Sequence, residues 1–141
     1  MLKGKIGKIY VFRISEGEDL AEAIKKRAEE NDVKAGMFVL IGSLKEAVLG
    51  YYKEGQYHPI RLDGPLEIAS CMGNIAVDEN NETVVHAHIV VSNGEGKAFG
   101  GHLMKNSIVG ATAELVIIEV ANAILRRSSD EKMKLKLLKL G

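Results

Sequence analysis

The sequence predicts an α+β fold, a mixed and largely antiparallel β-sheet domain carrying one main amphipathic helix. Three observations lead there. The clearest helical periodicity lies at about residues 16–31, where Leu20, Ile24 and Ala28 recur with Glu, Lys and Arg between them. Short runs rich in β-branched and aromatic residues, separated by turn-forming clusters, fill most of the remaining chain. Several of these runs are apolar on both faces, as in a sheet covered by a helix on one side and by another sheet or a neighbouring subunit on the other.

Taken in order, Ile9–Ile14 is a strand by its β-branched and aromatic content. Ser15 followed by Glu18 is a capping-box pattern, which places the helix start there. Met37–Ile41 is a continuous apolar run too short for a good helix, hence a buried strand, and Gly42-Ser43 is a bend. Ala47–Tyr52 and Gln56–Leu62 are strands joined by a turn at Lys53–Gly55, with Pro59 pointing to an edge position. Asp63-Gly64-Pro65 is a strong turn signal. Beyond it the runs 66–72, 83–91, 97–103 and 112–120 are expected strands. The segment 126–141 carries the one clear positive excess, with Leu135, Leu137, Leu138 and Leu140 to bury.

A chain of 141 residues suits one core, so a single domain, 1–141, is expected, with its core at about 9–120 and a basic C-terminal extension at 126–141. Nineteen Lys plus Arg balance nineteen Asp plus Glu, which removes long-range attraction to DNA phosphates or anionic lipid and leaves only local contact. The N-terminus lacks an apolar signal core, and no run reaches the roughly 18 residues that span a bilayer. A cytoplasmic location, with no membrane partner, is the expectation.

Three of the four histidines, His86, His88 and His102, fall within seventeen residues. Alternation along a strand puts His86 and His88 on one face. The following Ser92–Lys97 is a hairpin signal, and with Glu95 at the centre of the turn His88 faces His102. A half-residue shift of that centre sends the His102 ring to the opposite face unless a bulge intervenes. Gly100 and Gly101 leave room for a ligand or a close backbone. Three neutral imidazoles with one open position is how zinc binds and acidifies a water, so zinc at His86, His88 and His102 is the metal reading. The competing reading is that these are core or subunit-interface histidines bonded to carbonyls and carboxylates.

Other residues carry less. Glu67, between apolar neighbours, is the one weak candidate for a catalytic role, as a base or as a carboxylate orienting a histidine, with pairing to Arg13 or Arg61 the alternative. Glu114 has a similar ambiguity. Cys71, alternating onto the face of Glu67, is expected to be a small core residue, and His58 a structural one. Ser43 lacks a G-x-S-x-G context, and no phosphate-binding glycine loop is present.

The ordered pieces V-F-R-I-S-E-G-E-D-L, I-G-S-L-K-E-A-V-L-G-Y-Y, G-P-L-E-I-A-S-C-M-G-N-I, H-A-H, F-G-G-H-L and V-G-A-T-A-E-L-V-I together resemble the PPC family, the plant and prokaryote conserved domain. The resemblance spans residues of about 9 to 120. It implies an α+β fold, a homotrimer, and a regulatory or interaction module associated with itself, with DNA or with DNA-bound proteins. In plant relatives the domain follows AT-hook segments, and no R-G-R-P hook exists here, so the part that reads the minor groove is missing. The fold is also distantly similar to acetolactate decarboxylase, a zinc enzyme, on His86, His88 and His102 alone. Its other catalytic residues find no match. The resemblance therefore leaves three functions: an interaction module, a zinc-dependent enzyme, or a small-molecule binding protein that uses the same histidines without turnover.

Overall fold

A computed structural model describes residues 1–140. The chain runs β1 (Lys5–Ser15), α1 (Leu20–Glu30), β2 (Gly36–Lys53), β3 (Gln56–Val77), β4 (Thr83–Ser92), β5 (Ala98–Leu103), β6 (Ile108–Ala121), β7 (Arg126–Asp130) and β8 (Leu135–Lys139). The sheet order is β1-β6-β2-β5-β4-β3-β7-β8, and β3 also pairs with β2, so β2, β5, β4 and β3 close on themselves as a small barrel. All ladders are antiparallel except the single parallel pairing of Val77 with Arg126. One helix on a mostly antiparallel sheet is the expected α+β architecture.

Side-chain alternation sorts the strands into two faces. Phe12, Leu115, Leu40, Cys71 and Ile89 stand opposite one another across β1, β6, β2, β3 and β4, and all but Phe12 are buried. Helix α1 completes this core with Leu20, Ala23, Ile24 and Ala28, the residues its periodicity marks. Phe38 fills the remaining space because residue 73 is glycine: a Cβ there would strike the His86 carbonyl oxygen and lie 2.7 Å from the Phe38 ring. The row on the other face is Val11, Val116, Val39, Met72 and His88, and of these Val11, Val39 and Met72 are 50% or more exposed.

The structure corrects three expectations. The helix starts at Leu20 and is capped by Asp19, whose carboxylate accepts the Glu22 amide at 3.1 Å. Ser15 and Glu18 do bond, Ser15 N–H to the Glu18 carboxylate at 2.8 Å, but the intervening chain is held by Val109, which pairs with Gly17 and Glu18. The expected bend at Gly42 and turn at Asp63–Pro65 do not divide strands. Instead β2 and β3 run through them as long bent strands, each absorbing the signal as a shift of register, between Leu40 and Gly42 and between Leu44 and Glu46. A third shift, between Ile68 and Ser70 on the β3–β4 ladder, rotates the chain so that Cys71 is buried while Glu67 is exposed, and the two do not share a face.

The β2–β3 turn and the edge position of Pro59 are as expected. Glu54 and Gly55, both with positive φ, make the β2–β3 turn, and Pro59 lies on the half of β3 paired with β2 alone. The basic segment 126–140 docks: β7 and β8 form a hairpin tied down by Tyr52 Oη to the Met133 carbonyl (2.6 Å), Ser129 N–H to the Glu79 carboxylate (2.8 Å) and Lys136 to Asp78 (2.6 Å). Among the described residues no helix is long and apolar enough to cross a membrane.

Candidate metal centre

The hairpin between β4 and β5 sets the site. Asn93 N–H bonds the Lys97 carbonyl at 3.1 Å, and the Asn93 side chain accepts from Glu95 and Lys97 N–H at 3.0 Å each, so the turn centres on Glu95. His88 therefore stands directly opposite His102. His86, two residues back on the same face, completes the group, and one ligand nitrogen from each ring lies within 4.8 Å of the others. Ring centroids are 5.2–5.7 Å apart, close enough to converge on one ion.

Four neighbours hold the rings. Gly50, opposite His102, has no side chain to obstruct them, so Tyr57 stacks on His102 with centroids 4.4 Å apart; a Cβ at Gly50 would lie 2.8 Å from the Tyr57 ring. Gly101 lets β5 approach β2, since a Cβ there would meet the Gly50 carbonyl at 3.0 Å; of the two uses foreseen for this glycine, backbone approach is the one observed. From the C-terminal hairpin, Arg127 Nη2 donates to Asn74 Oδ1 at 2.9 Å and toward His86 Nδ1 at 3.2 Å, while Nη1 donates to the Lys136 carbonyl at 2.9 Å.

The electrostatics keep His86 and His102 in the form that binds metal. Burial pushes His102 down to about 4, helped by His86, His88 and Arg127. His86 is lowered too, by burial first and then by Arg127 and His88. Both rings are neutral at neutral pH, with lone pairs available for coordination. The buried Nδ1 of His102 has no hydrogen-bond partner in the protein. A buried polar nitrogen is normally satisfied, so an orphan on one of three clustered imidazoles fits a ring that takes a partner from outside the chain. The residues present fit a three-histidine metal site, and a cavity of about 600 Å³ borders the cluster through His102 and Tyr57.

The remaining candidates lie apart. Glu67 is exposed and stands opposite Ser92, four residues along β4 from His88, which is about 13 Å at the rise of a strand. Glu114 pairs with Arg13 across the ladder and is exposed. Cys71 is buried, its thiol pushed up to about 12 by desolvation, so it offers no thiolate. His58 is exposed opposite Tyr51, and it is its neighbour Tyr57 that reaches the site. Ser43 is structural, its hydroxyl accepting the Ala111 amide at 3.0 Å. Sequence reasoning missed Tyr57, Asn74 and Arg127. Neither Tyr57, which meets His102 across the sheet, nor Arg127, 41 residues from His86, had a signal in the sequence.

Known proteins share this arrangement of chain. The model of the Plants and Prokaryotes Conserved (PCC) domain matches residues 1–121. The chain belongs to that family. Among solved structures this PCC chain is similar to a plant- and prokaryote-conserved (PPC) protein of Pyrococcus horikoshii, at 30% identity and TM-score 0.89 over 100% of this chain and 99% of that one. It is equally similar in fold to a metal-containing protein of Archaeoglobus fulgidus, at 27% identity and TM-score 0.89 over 99% of both chains. A candidate DNA-binding protein of Ralstonia eutropha JMP134 matches at 28% identity and TM-score 0.83, over 94% of this chain and 91% of that one. Among curated proteins, the bifunctional protein GlmU of a Synechococcus strain is 32% identical over 125 residues, 87% of this chain. The PCC chain spans about a fifth of the length of the curated relatives it matches.

Proposed function

We propose that this PCC chain is a homotrimeric cytoplasmic module that holds a zinc ion at His86, His88 and His102 and recognises a small ligand there. The observation that carries the reading is the convergence of three imidazole nitrogens within 4.8 Å on a half-exposed surface. The metal-containing relative from Archaeoglobus fulgidus supports it. Three neutral ligands leave zinc an open coordination position, and the chemistry the ion supplies there is Lewis-acid polarisation of an oxygen. The protein's own part is to fix the rings by strand register, shield one edge with Tyr57, and keep His86 and His102 unprotonated. The likeness to acetolactate decarboxylase rests on the same three histidines and does not extend to its activity.

Elemental analysis of protein purified without a nickel column tests the site. About one zinc per chain is expected in the wild type, and His88→Ala is expected to lose most of it, since removing one of three ligands costs affinity by orders of magnitude. Stoichiometric zinc retained by His88→Ala would sink the site.

A second reading, a regulatory module associated with DNA or DNA-bound proteins, is favoured by the likeness to the Ralstonia eutropha protein. Two basic side chains of the C-terminal hairpin are already engaged within the molecule, Lys136 by Asp78 and Arg127 by Asn74 and His86, and the chain has no net charge. Contact through a DNA-bound partner therefore suits it better than direct phosphate contact. Failure to bind duplex DNA even at low salt is expected, and tight binding whose strength falls steeply with salt would reverse that preference.

A further inference from the structure

Arg127 is a buried cation without a counter-ion. It is only 7% exposed, and its acceptors are all neutral: the Lys136 carbonyl, Asn74 Oδ1 and His86 Nδ1. Its Nε has no hydrogen-bond partner in the protein, and no ion pair among the described residues involves it. Leaving a buried charge uncompensated is costly, and arginine cannot shed its proton to escape.

The contact with His86 sharpens the problem. A guanidinium only donates, so His86 Nδ1 must accept. When His86 binds an ion, Nδ1 carries either the ion or the ring proton, and both repel a donor. Arg127 Nη2 then loses that acceptor and faces the ion itself. The three histidines contribute no negative charge, and no carboxylate belongs to the cluster. A divalent ion beside a guanidinium is a concentrated positive site that only an anion can balance.

We propose that Arg127 is the anion-binding residue of the site and that the ligand is a small oxyanion, a carboxylate or phosphate group with one oxygen toward the histidines and another on the guanidinium fork. This rests on the metal reading above and adds the ligand's chemical class. It assigns the C-terminal hairpin, which lies outside the family-matched residues 1–121, a part in recognition.

The test is calorimetric titration of the zinc-loaded protein with acetate and, separately, with inorganic phosphate, after zinc content has been measured. Wild type is expected to bind at least one of them, and the arm that binds tighter identifies the headgroup. Arg127→Gln should keep its zinc and bind that anion about tenfold or more weaker, as expected for loss of charge-assisted hydrogen bonds, with Arg127→Lys intermediate. In the wild type the arginine Nε–H resonance of Arg127 should shift as the anion is added, a readout that requires no variant to fold. Equal affinity in zinc-bearing Arg127→Gln, an unmoved Nε–H resonance in the presence of bound anion, or no binding of either anion by zinc-loaded wild type would overturn the assignment. Wild type lacking zinc from the outset would instead remove the metal reading on which the assignment stands.

Discussion

Asp78 shows how one residue ties the C-terminal hairpin to the core. Its carboxylate is 1% exposed, shielded by immediate neighbours at the β3–β4 corner, and takes donors from Lys136 Nζ at 2.6 Å and from the Asn80 and Glu82 amides at 2.9 and 3.0 Å. Foremost the hydrogen bond from Lys136, and then these amides, hold it below the ordinary carboxylate value of 3.8 despite its desolvation. A carboxylate whose folded value lies below its unfolded one binds fewer protons when folded. Its contribution is thus complete above the unfolded value and is lost as pH falls through the folded one. Asp78→Asn, nearly the same shape without the charge, should be less stable than wild type at about pH 6, with the gap closing at a pH well below the ordinary value of 3.8. Urea unfolding at both values measures it, and a gap independent of pH would show that the charge contributes nothing. At this scale the histidine cluster was legible, because alternation and a turn centred on Glu95 are local rules that fix which rings face each other. Arg127 and Tyr57 were not, since each meets its histidine across more than forty residues of sequence, where no periodicity reaches.

The elements were legible in kind more than in extent. Leu20, Ile24 and Ala28 mark the helix correctly, yet its start moved to Asp19 because Val109 and Ile108 of β6 claim the preceding backbone as a β-pair, a tertiary bond that outweighs a local capping signal. Asp63-Gly64-Pro65 reads as chain reversal in isolation, but between two stretches that both pair with β2 it becomes a place where β3 gains a residue on its partner. The same misreading changed the face of Cys71, whose position relative to Glu67 was counted as if the strand were regular. Bulges also bring the histidine strand to its place. Without the offset between Ile68 and Ser70, β4 would pair with β3 one residue out of step, and His88 would not stand opposite exposed Met72. The dock of β7 and β8 was open in the sequence, since a leucine-bearing basic segment can lie on a core or stay free. Val77 N–H bonding the Leu125 carbonyl at 2.8 Å decides for docking.

The molecule as a whole carries an apolar surface that its own chain leaves uncovered. Ile9, Val11, Met37, Val39, Ile41 and Met72 are between 50% and 72% exposed on neighbouring strands, and register aligns them in rows: Val11, Val116, Val39 and Met72 in one, Ile9, Ile118 and Met37 in the next. Both rows run into the histidine cluster, the first ending at His88 and the second, through Asn74, at His86. Monomers seldom expose contiguous apolar patches of this kind, and copies related by rotation are the usual cover. If the homotrimer forms through this face, Val39→Glu sets a charge at its centre that has no partner, while in the monomer the same side chain points into water and costs little. Light scattering at micromolar concentration should then report three chains for wild type and one for Val39→Glu, with circular dichroism unchanged. Lys26→Glu, on the exposed side of α1, is the control and should remain assembled. A wild-type monomer at that concentration, or a Val39→Glu protein that still assembles, would mean that something other than this surface brings copies together. Zinc content links the two scales. Because the rows abut His86 and His88, a dissociated Val39→Glu chain should expose those rings further to solvent and release zinc to a chelator faster than the trimer does.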